Sequence, residues 1–184
     1  EAALMMQTVA GGPGAFAAAS SIHLNIFGLN PVVVFGTDDQ RARMLPRIIK
    51  GEHRACFGVT EPDAGVDTGS LKTKAVRDGD TYTVQGRKVW TTNAQSASHI
   101  LLLARTAPRE SVTKSTDGLS LFYTALDRAY VTVREIDKMG RKAVDSNEVF
   151  IDGLPVPTED RIGEEGEGFR YLLHGLNAER ILIA

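Results

Sequence analysis

From about residue 55 to 152 the sequence consists of short β-prone runs separated by turn signals, and on either side the apolar residues return to a helical period. That switch limits the possible folds more than any other feature. TKAVRDGDTYTVQGRKVWTT sets β-formers around Asp78-Gly79, a strong hairpin signal, and a second turn is expected at Gln85-Gly86. HILLLART, LSLFYTAL, VTVREID and NEVFIDG follow, spaced by turn-like stretches such as APRESVTKSTDG and KMGRKAVDS. Strands so placed, without helices between them, predict a small antiparallel sandwich or barrel and not alternating βαβ units. HILLLA is apolar throughout, as expected of a strand covered on both faces.

The flanks read differently. AFAAASSIHLNIF is an alanine-rich helical segment ending at Gly28, and NPVVVFG is a short apolar segment with Pro31 near its start. TDDQRARMLPRIIKGE opens on the capping box Thr37-x-x-Gln40, which satisfies free N–H groups at a helix start. Pro46 is expected to break or restart this helix and Gly51 to end it. After PVPTEDRIGEEGEG, Phe169, Leu172, Leu173 and Leu176 fall at i, i+3, i+4 and i+7, with Ile181 and Ile183 continuing the apolar stripe. The expected fold is α+β: helices, then a β unit, then a helix.

Composition adds mainly exclusions. Hydrophobic residues make up 42% and charged residues 24% of the 184, an ordinary soluble balance with enough apolar material for a core. The net charge of −2 gives no electrostatic support for nucleic-acid binding. Apolar runs such as VVVF at 32–35 and ILLLA at 100–104 are too short to span a bilayer, and no signal-peptide pattern opens the sequence. The single Cys56 rules out an intramolecular disulfide and fits a reducing compartment. The sequence starts at EAALMMQTVAGG without an initiator Met and stops in LNAERILIA without a helix stop signal, so it is expected to be an internal piece of a longer chain.

Several chemical signals fail on inspection. GEEGEG at 163–168 is glycine-rich, but its glutamates would repel a phosphate and it follows no strand. Ser111-x-x-Lys114 has the spacing of a nucleophile pair but lies in a polar loop. His23, His53, His99 and His174 show no metal-ligand spacing. Two stretches survive. In VTEPDAGVDTG a proline fixes the turn, Gly65 allows backbone to approach a ligand, and Thr60 supplies a hydroxyl at the strand end. In KVWTTN the sole tryptophan, Trp90, stands beside Thr91 and Thr92. A flat ring with hydroxyls and amides suits a planar heteroaromatic cofactor. The residues alone leave open a core tryptophan among β-favouring threonines.

GVTEPDAGVDTGSLKTKAVRDGDTYTVQGRKVWTTNA resembles the flavin-binding middle domain of the acyl-CoA dehydrogenases. GTDDQRARMLPRIIKGE, KMGRKAVDSNEVFIDGLPVP and GEGFRYLLHGLNAERILIA resemble other parts of the same family, so the likeness runs from about residue 11 onward. It implies three parts: residues 1–54 in an N-terminal helical domain, 55–157 as a flavin-binding β-barrel domain, and 158–184 as linker and first helix of a C-terminal helical bundle. By the same resemblance, Phe57 to Val66, including Val59 and Gly65, would line FAD. Thr60 would hydrogen-bond the pyrimidine edge of the isoalloxazine, Trp90 would pack on the ring, and Thr91 and Thr92 would complete the site, with Thr92 near the hydride-accepting nitrogen. The family often has serine or threonine at Val66, a contact with the acyl-CoA; here only a backbone contact could survive.

Asn177-Ala178-Glu179-Arg180 resembles the segment facing the thioester, with Asn177 and Arg180 on the substrate side. A subset of the family takes its catalytic base from the position of Glu179; other members take it from a later helix. Burial would raise the pKa of such a carboxyl and Arg180 would lower it. His23 reads as a structural histidine, although the resemblance sets Ala19–His23 beside the far end of the acyl pocket. The implied activity is α,β-dehydrogenation of an acyl-CoA to a trans-2-enoyl-CoA, as in fatty-acid β-oxidation. The implied partners are an acyl-CoA, an electron-transfer flavoprotein and further copies in a tetramer or dimer, in a bacterial cytoplasm or mitochondrial matrix. A flavin oxidase or monooxygenase on the same fold, and a non-catalytic acyl-CoA-binding relative, are the alternatives.

Overall fold

The computed structural model describes residues 1–183, and the side chains of all of these except 24–27, 178, 182 and 183. Four helices come first: α1 (Ala2–Ala10), α2 (Ala15–Phe27), α3 (Asn30–Phe35) and α4 (Asp38–Ile49). The capping box at the start of α4 is formed, with Thr37 Oγ1 accepting from Gln40 N at 3.1 Å and Gln40 Oε1 accepting from Thr37 N at 2.9 Å. The Gln40 amide also donates to the carbonyls of Glu159 and Arg161 at 2.8 and 2.7 Å, which ties α4 to the distant end of the β unit. Pro46 does not break α4, contrary to the expectation from sequence. Pro46 and Ala42 one turn earlier are both exposed, so water can satisfy the carbonyl that proline leaves without a partner.

Eight strands follow: β1 (Ala55–Gly58), β2 (Lys74–Asp78), β3 (Thr81–Thr92), β4 (His99–Arg105), β5 (Leu119–Ala125), β6 (Val131–Glu135), β7 (Ser146–Pro157) and β8 (Arg161–Ile162). They form one sheet in the order β6-β7-β3-β2-β4-β5-β8, with β1 added beside β4. The β2–β3 hairpin closes where expected, with Asp78 opposite Thr81. The turn expected at Gln85-Gly86 is absent, because β3 runs straight through it. Gly86 instead lets β3 lie against Thr73: a Cβ there would stand 2.3 Å from Thr73 Oγ1. The sheet is also mixed where the spacing suggested only antiparallel pairs. β1 runs parallel to β4, and β2 meets β4 in parallel at Lys74 and Arg105. The long excursion through β2 and β3 between β1 and β4 provides the crossover that a parallel pair requires.

One core, with Tyr82, Val84, Ile100, Phe122, Val149 and Val156 among its members, draws on strands from across the sheet, so the sheet curls around it. A second core lies on the other face of β4 and β5, where Leu101, Leu103, Leu121 and Tyr123 meet Val32 and Met44 of the helices. β4 is thus covered on both faces, as its continuous apolar run requires. The closing helix α5 (Gly168–Ile183) docks here through Tyr171 and Leu172. Gly168 packs directly on β5, since a Cβ there would lie 2.4 Å from the Leu121 nitrogen. The apolar stripe of α5 is not buried throughout: Ile181 is exposed, and the side chain of Ile183 lies outside the described residues.

Candidate active site

The segment leaving β1 is bound, residue by residue, to β3. The Val59 carbonyl accepts from Lys88 Nζ at 3.1 Å, and the Thr60 carbonyl accepts from Val89 N at 2.9 Å. Glu61 Oε1 accepts from Lys88 Nζ at 2.9 Å and from Thr73 N at 2.9 Å, while its Oε2 accepts from Lys72 N at 2.7 Å. A tight turn follows, in which Glu61 and Ala64 exchange backbone hydrogen bonds at 3.2 Å, and Gly65 and Val66 emerge into solvent.

Lys88 is wholly buried and Glu61 nearly so. Burial pulls the Lys88 ammonium down to about 8, against the opposing attraction of Glu61. Desolvation works to raise the Glu61 carboxyl, but Lys88 and the donors at Thr73 and Lys72 outweigh it and hold the group below its ordinary value. Both groups are therefore charged at neutral pH, and the pair supplies hydrogen bonds as well as charge.

Past Lys88 the β3–β7 ladder slips by one residue. Lys88 faces Val149 and Thr91 faces Asn147, so Val89 and Trp90 together oppose Glu148. Trp90 takes up the slack with φ +61, a left-handed conformation that an indole-bearing residue adopts only at a cost of about 1–3 kcal/mol. The residue is 61% exposed. Thr92 is half-buried, whereas Thr91 points inward. Thr60, Trp90 and the Gly65–Val66 turn thus present a hydroxyl, a flat ring and free backbone along the junction of β1 and β3.

On α5, Glu179 is half-buried, and its Oε1 lies 3.5 Å from His23 Nε2 on α2. Arg180 Nη1 donates to Asn177 Oδ1 at 3.4 Å. The other histidines lie elsewhere: His53 and His99 stack at 3.7 Å beside Tyr123, and His174 Nδ1 lies 2.8 Å from Asn30 Oδ1.

The family model for the acyl-CoA dehydrogenase middle domain matches residues 56–154, and the model for the N-terminal domain of the same family matches residues 1–52. The chain belongs to the acyl-CoA dehydrogenase family. A mitochondrial 2-methylacyl-CoA dehydrogenase from Solanum tuberosum is 30% identical over 98% of this chain and 43% of its own length. Among solved structures, the prolyl acyl carrier protein oxidase AnaB superposes with a TM-score of 0.86 at 30% identity, covering 98% of this chain and 48% of that one. A glutaryl-CoA dehydrogenase from Mycobacterium smegmatis, solved in complex with FADH2, superposes with a TM-score of 0.81 at 28% identity, covering 97% of this chain and 43% of that one. The chain spans less than half the length of these similar proteins.

Within this chain, the fold brings Thr60 to the base of the Trp90 bulge and leaves Gly65 and Val66 open. It does not turn every expected cofactor residue outward. Val59 is buried in the second core, Phe57 packs against the same core, and the Thr91 hydroxyl is buried. Lys88, Glu61 and Asn147 were missed in the sequence. One signal could have found Lys88: it sits in the inward register of β3 that begins with Tyr82 and Val84, where a charge requires a buried partner. The identity of that partner is not encoded locally.

Proposed function

We propose that this chain forms the flavin-holding part of an FAD-dependent acyl-CoA dehydrogenase, an oxidoreductase. The hydrogen bond from Val89 N to the Thr60 carbonyl carries this reading, because it ties Thr60 to the residue just before Trp90, whose exposed indole stands on a strained left-handed backbone. Those groups fit a flat heteroaromatic ring: Trp90 offers a stacking face, and Thr60, Thr92 and the amides near Gly65 and Val66 offer edge hydrogen bonds. FAD, when bound, supplies the hydride acceptor.

Glu179 is the proposed base, taking the proton alpha to the thioester carbonyl, and its half-buried position beside His23 keeps the carboxylate from open water. Asn177 and Arg180 flank it on the substrate side. Residues 1–54, 55–157 and 158–184 serve as N-terminal domain, flavin domain and start of the C-terminal bundle. The full-length protein is proposed to assemble as a tetramer or dimer and to pass electrons to an electron-transfer flavoprotein. A bacterial cytoplasm or mitochondrial matrix is the proposed location, where the thiol of Cys56, which burial pushes up to about 12, would stay reduced.

Anaerobic addition of acyl-CoAs to the full-length holoprotein should bleach the visible flavin band, and Glu179→Gln should abolish bleaching without loss of FAD. Normal bleaching by the variant would move the base elsewhere. The likeness to the prolyl carrier-protein oxidase favours one second reading, an oxidase. Rapid reoxidation of the reduced protein by oxygen in stopped flow would select it.

A further inference from the structure

Trp90 is the one aromatic residue among the described left-handed non-glycine positions, which are Ala15, Trp90, Asn93 and Arg141. Such strain persists only where the surroundings enforce it, and here the enforcing contacts are identifiable. We propose that Lys88 and Asn147 are positioning residues that brace the bulge from its two sides and so hold the Trp90 ring outward as a fixed stacking face for the flat cofactor. This rests on the reading that FAD lies against Trp90.

On the near side, Lys88 is anchored to the Val59 carbonyl and to Glu61. On the far side, Asn147 is 0% exposed and donates from Nδ2 to the Thr91 carbonyl at 2.9 Å and to Asp145 Oδ2. Its Oδ1 accepts from Gln95 Nε2 at 2.9 Å. Both amide N–H groups and the oxygen are engaged, so the side chain cannot turn without leaving buried polar atoms unpaired. Only Val89 and Trp90 lie between the braces, and the Val89 N–H is held by Thr60. One residue too many spans two pinned points, and the side chain expelled is the indole. A stacking face fixed before the ligand arrives loses less freedom on binding than a mobile one.

The test is a thermodynamic cycle on the full-length protein, with FAD binding followed by flavin absorbance and fluorescence. Asn147→Ala and Trp90→Gly should each weaken FAD binding by about tenfold or more, and the double variant should bind no more weakly than Trp90→Gly. Additive losses, or a wild-type Kd in Asn147→Ala, would overturn the proposal. Gln95→Ala removes an exposed partner of the same amide and serves if Asn147→Ala does not fold. It should weaken binding by about threefold with Trp90 present and not at all with Trp90→Gly. In the apoprotein, time-resolved anisotropy of the Trp90 emission, isolated by difference from Trp90→Gly, should show a fixed ring that Asn147→Ala or Gln95→Ala frees. Unchanged anisotropy would remove the braces, whereas failure of wild type to bind FAD would remove the reading they rest on.

Discussion

The long β3–β7 ladder slips twice, and it solves the same geometric problem with opposite residues. At the first slip, Val84 faces Leu154 and Gln85 faces Asp152, so the extra residue is Gly153 on β7, with φ +73. Glycine enters that region without steric penalty, and nothing lies within 4 Å of where its Cβ would be. At the second slip the extra residue is on β3, and the left-handed position is filled by Trp90. The glycine bulge needs no support. The tryptophan bulge is enclosed by Lys88, Glu61, Asn147 and the Thr60–Val89 hydrogen bond. A residue that raises the energy of the fold, held by that many buried contacts, marks the second bulge as the working one and the first as a device for bending the sheet.

The largest expected effect comes from removing a brace. Lys88→Met strands the Glu61 carboxylate and should lower stability by about 3–5 kcal/mol in urea unfolding. Adding Glu61→Leu should recover only part of this, because the N–H groups of Lys72 and Thr73 would lose their acceptor. Next, Gly153→Ala should lose about 1–2 kcal/mol through its backbone alone and leave FAD binding unchanged; an effect on FAD would end the contrast between the bulges.

A pH dependence sharpens the contrast further. Lys88 titrates at about 8 in the fold against an ordinary 10.5, so between those values the unfolded chain binds more protons than the folded one. Its contribution should therefore make stability rise with pH across that window, by at most about 1.4 kcal/mol per pH unit. The rise should persist in Gly153→Ala and vanish in Lys88→Met. The smallest effect has the opposite sign: Trp90→Gly should raise the unfolding free energy slightly, by about 1 kcal/mol or less, seen as a small upward shift of the melting midpoint, as relief of left-handed strain outweighs the added chain entropy of glycine.

Much of the fold was legible because its signals are local. The Thr37–Gln40 capping box, the β2–β3 hairpin and the continuous apolar run of β4 each depend on residues within a few positions of one another. Pro46 and Gly86 misled for the same reason. Each carries a breaking signal that its surroundings overrode: exposure at Pro46, and close approach of Thr73 at Gly86. In the candidate site, Thr60 and Trp90 were visible as a strand-end hydroxyl and a lone indole. The inward turn of Thr91 and the burial of Val59 were not, because each follows from how β1 and β3 sit on cores that they only partly form.

The sequence by itself determined the order of helices, β unit and helix, along with the residues capable of holding a flat ring, since periodicity and side-chain chemistry belong to the chain whatever it touches. Only the tertiary structure decided that β1 runs parallel to β4, that Glu61 meets Lys88, and that Trp90 faces outward. Those outcomes depend on pairings between residues far apart in sequence, and a buried charge or a strained backbone is tolerable only once its distant partner is in place.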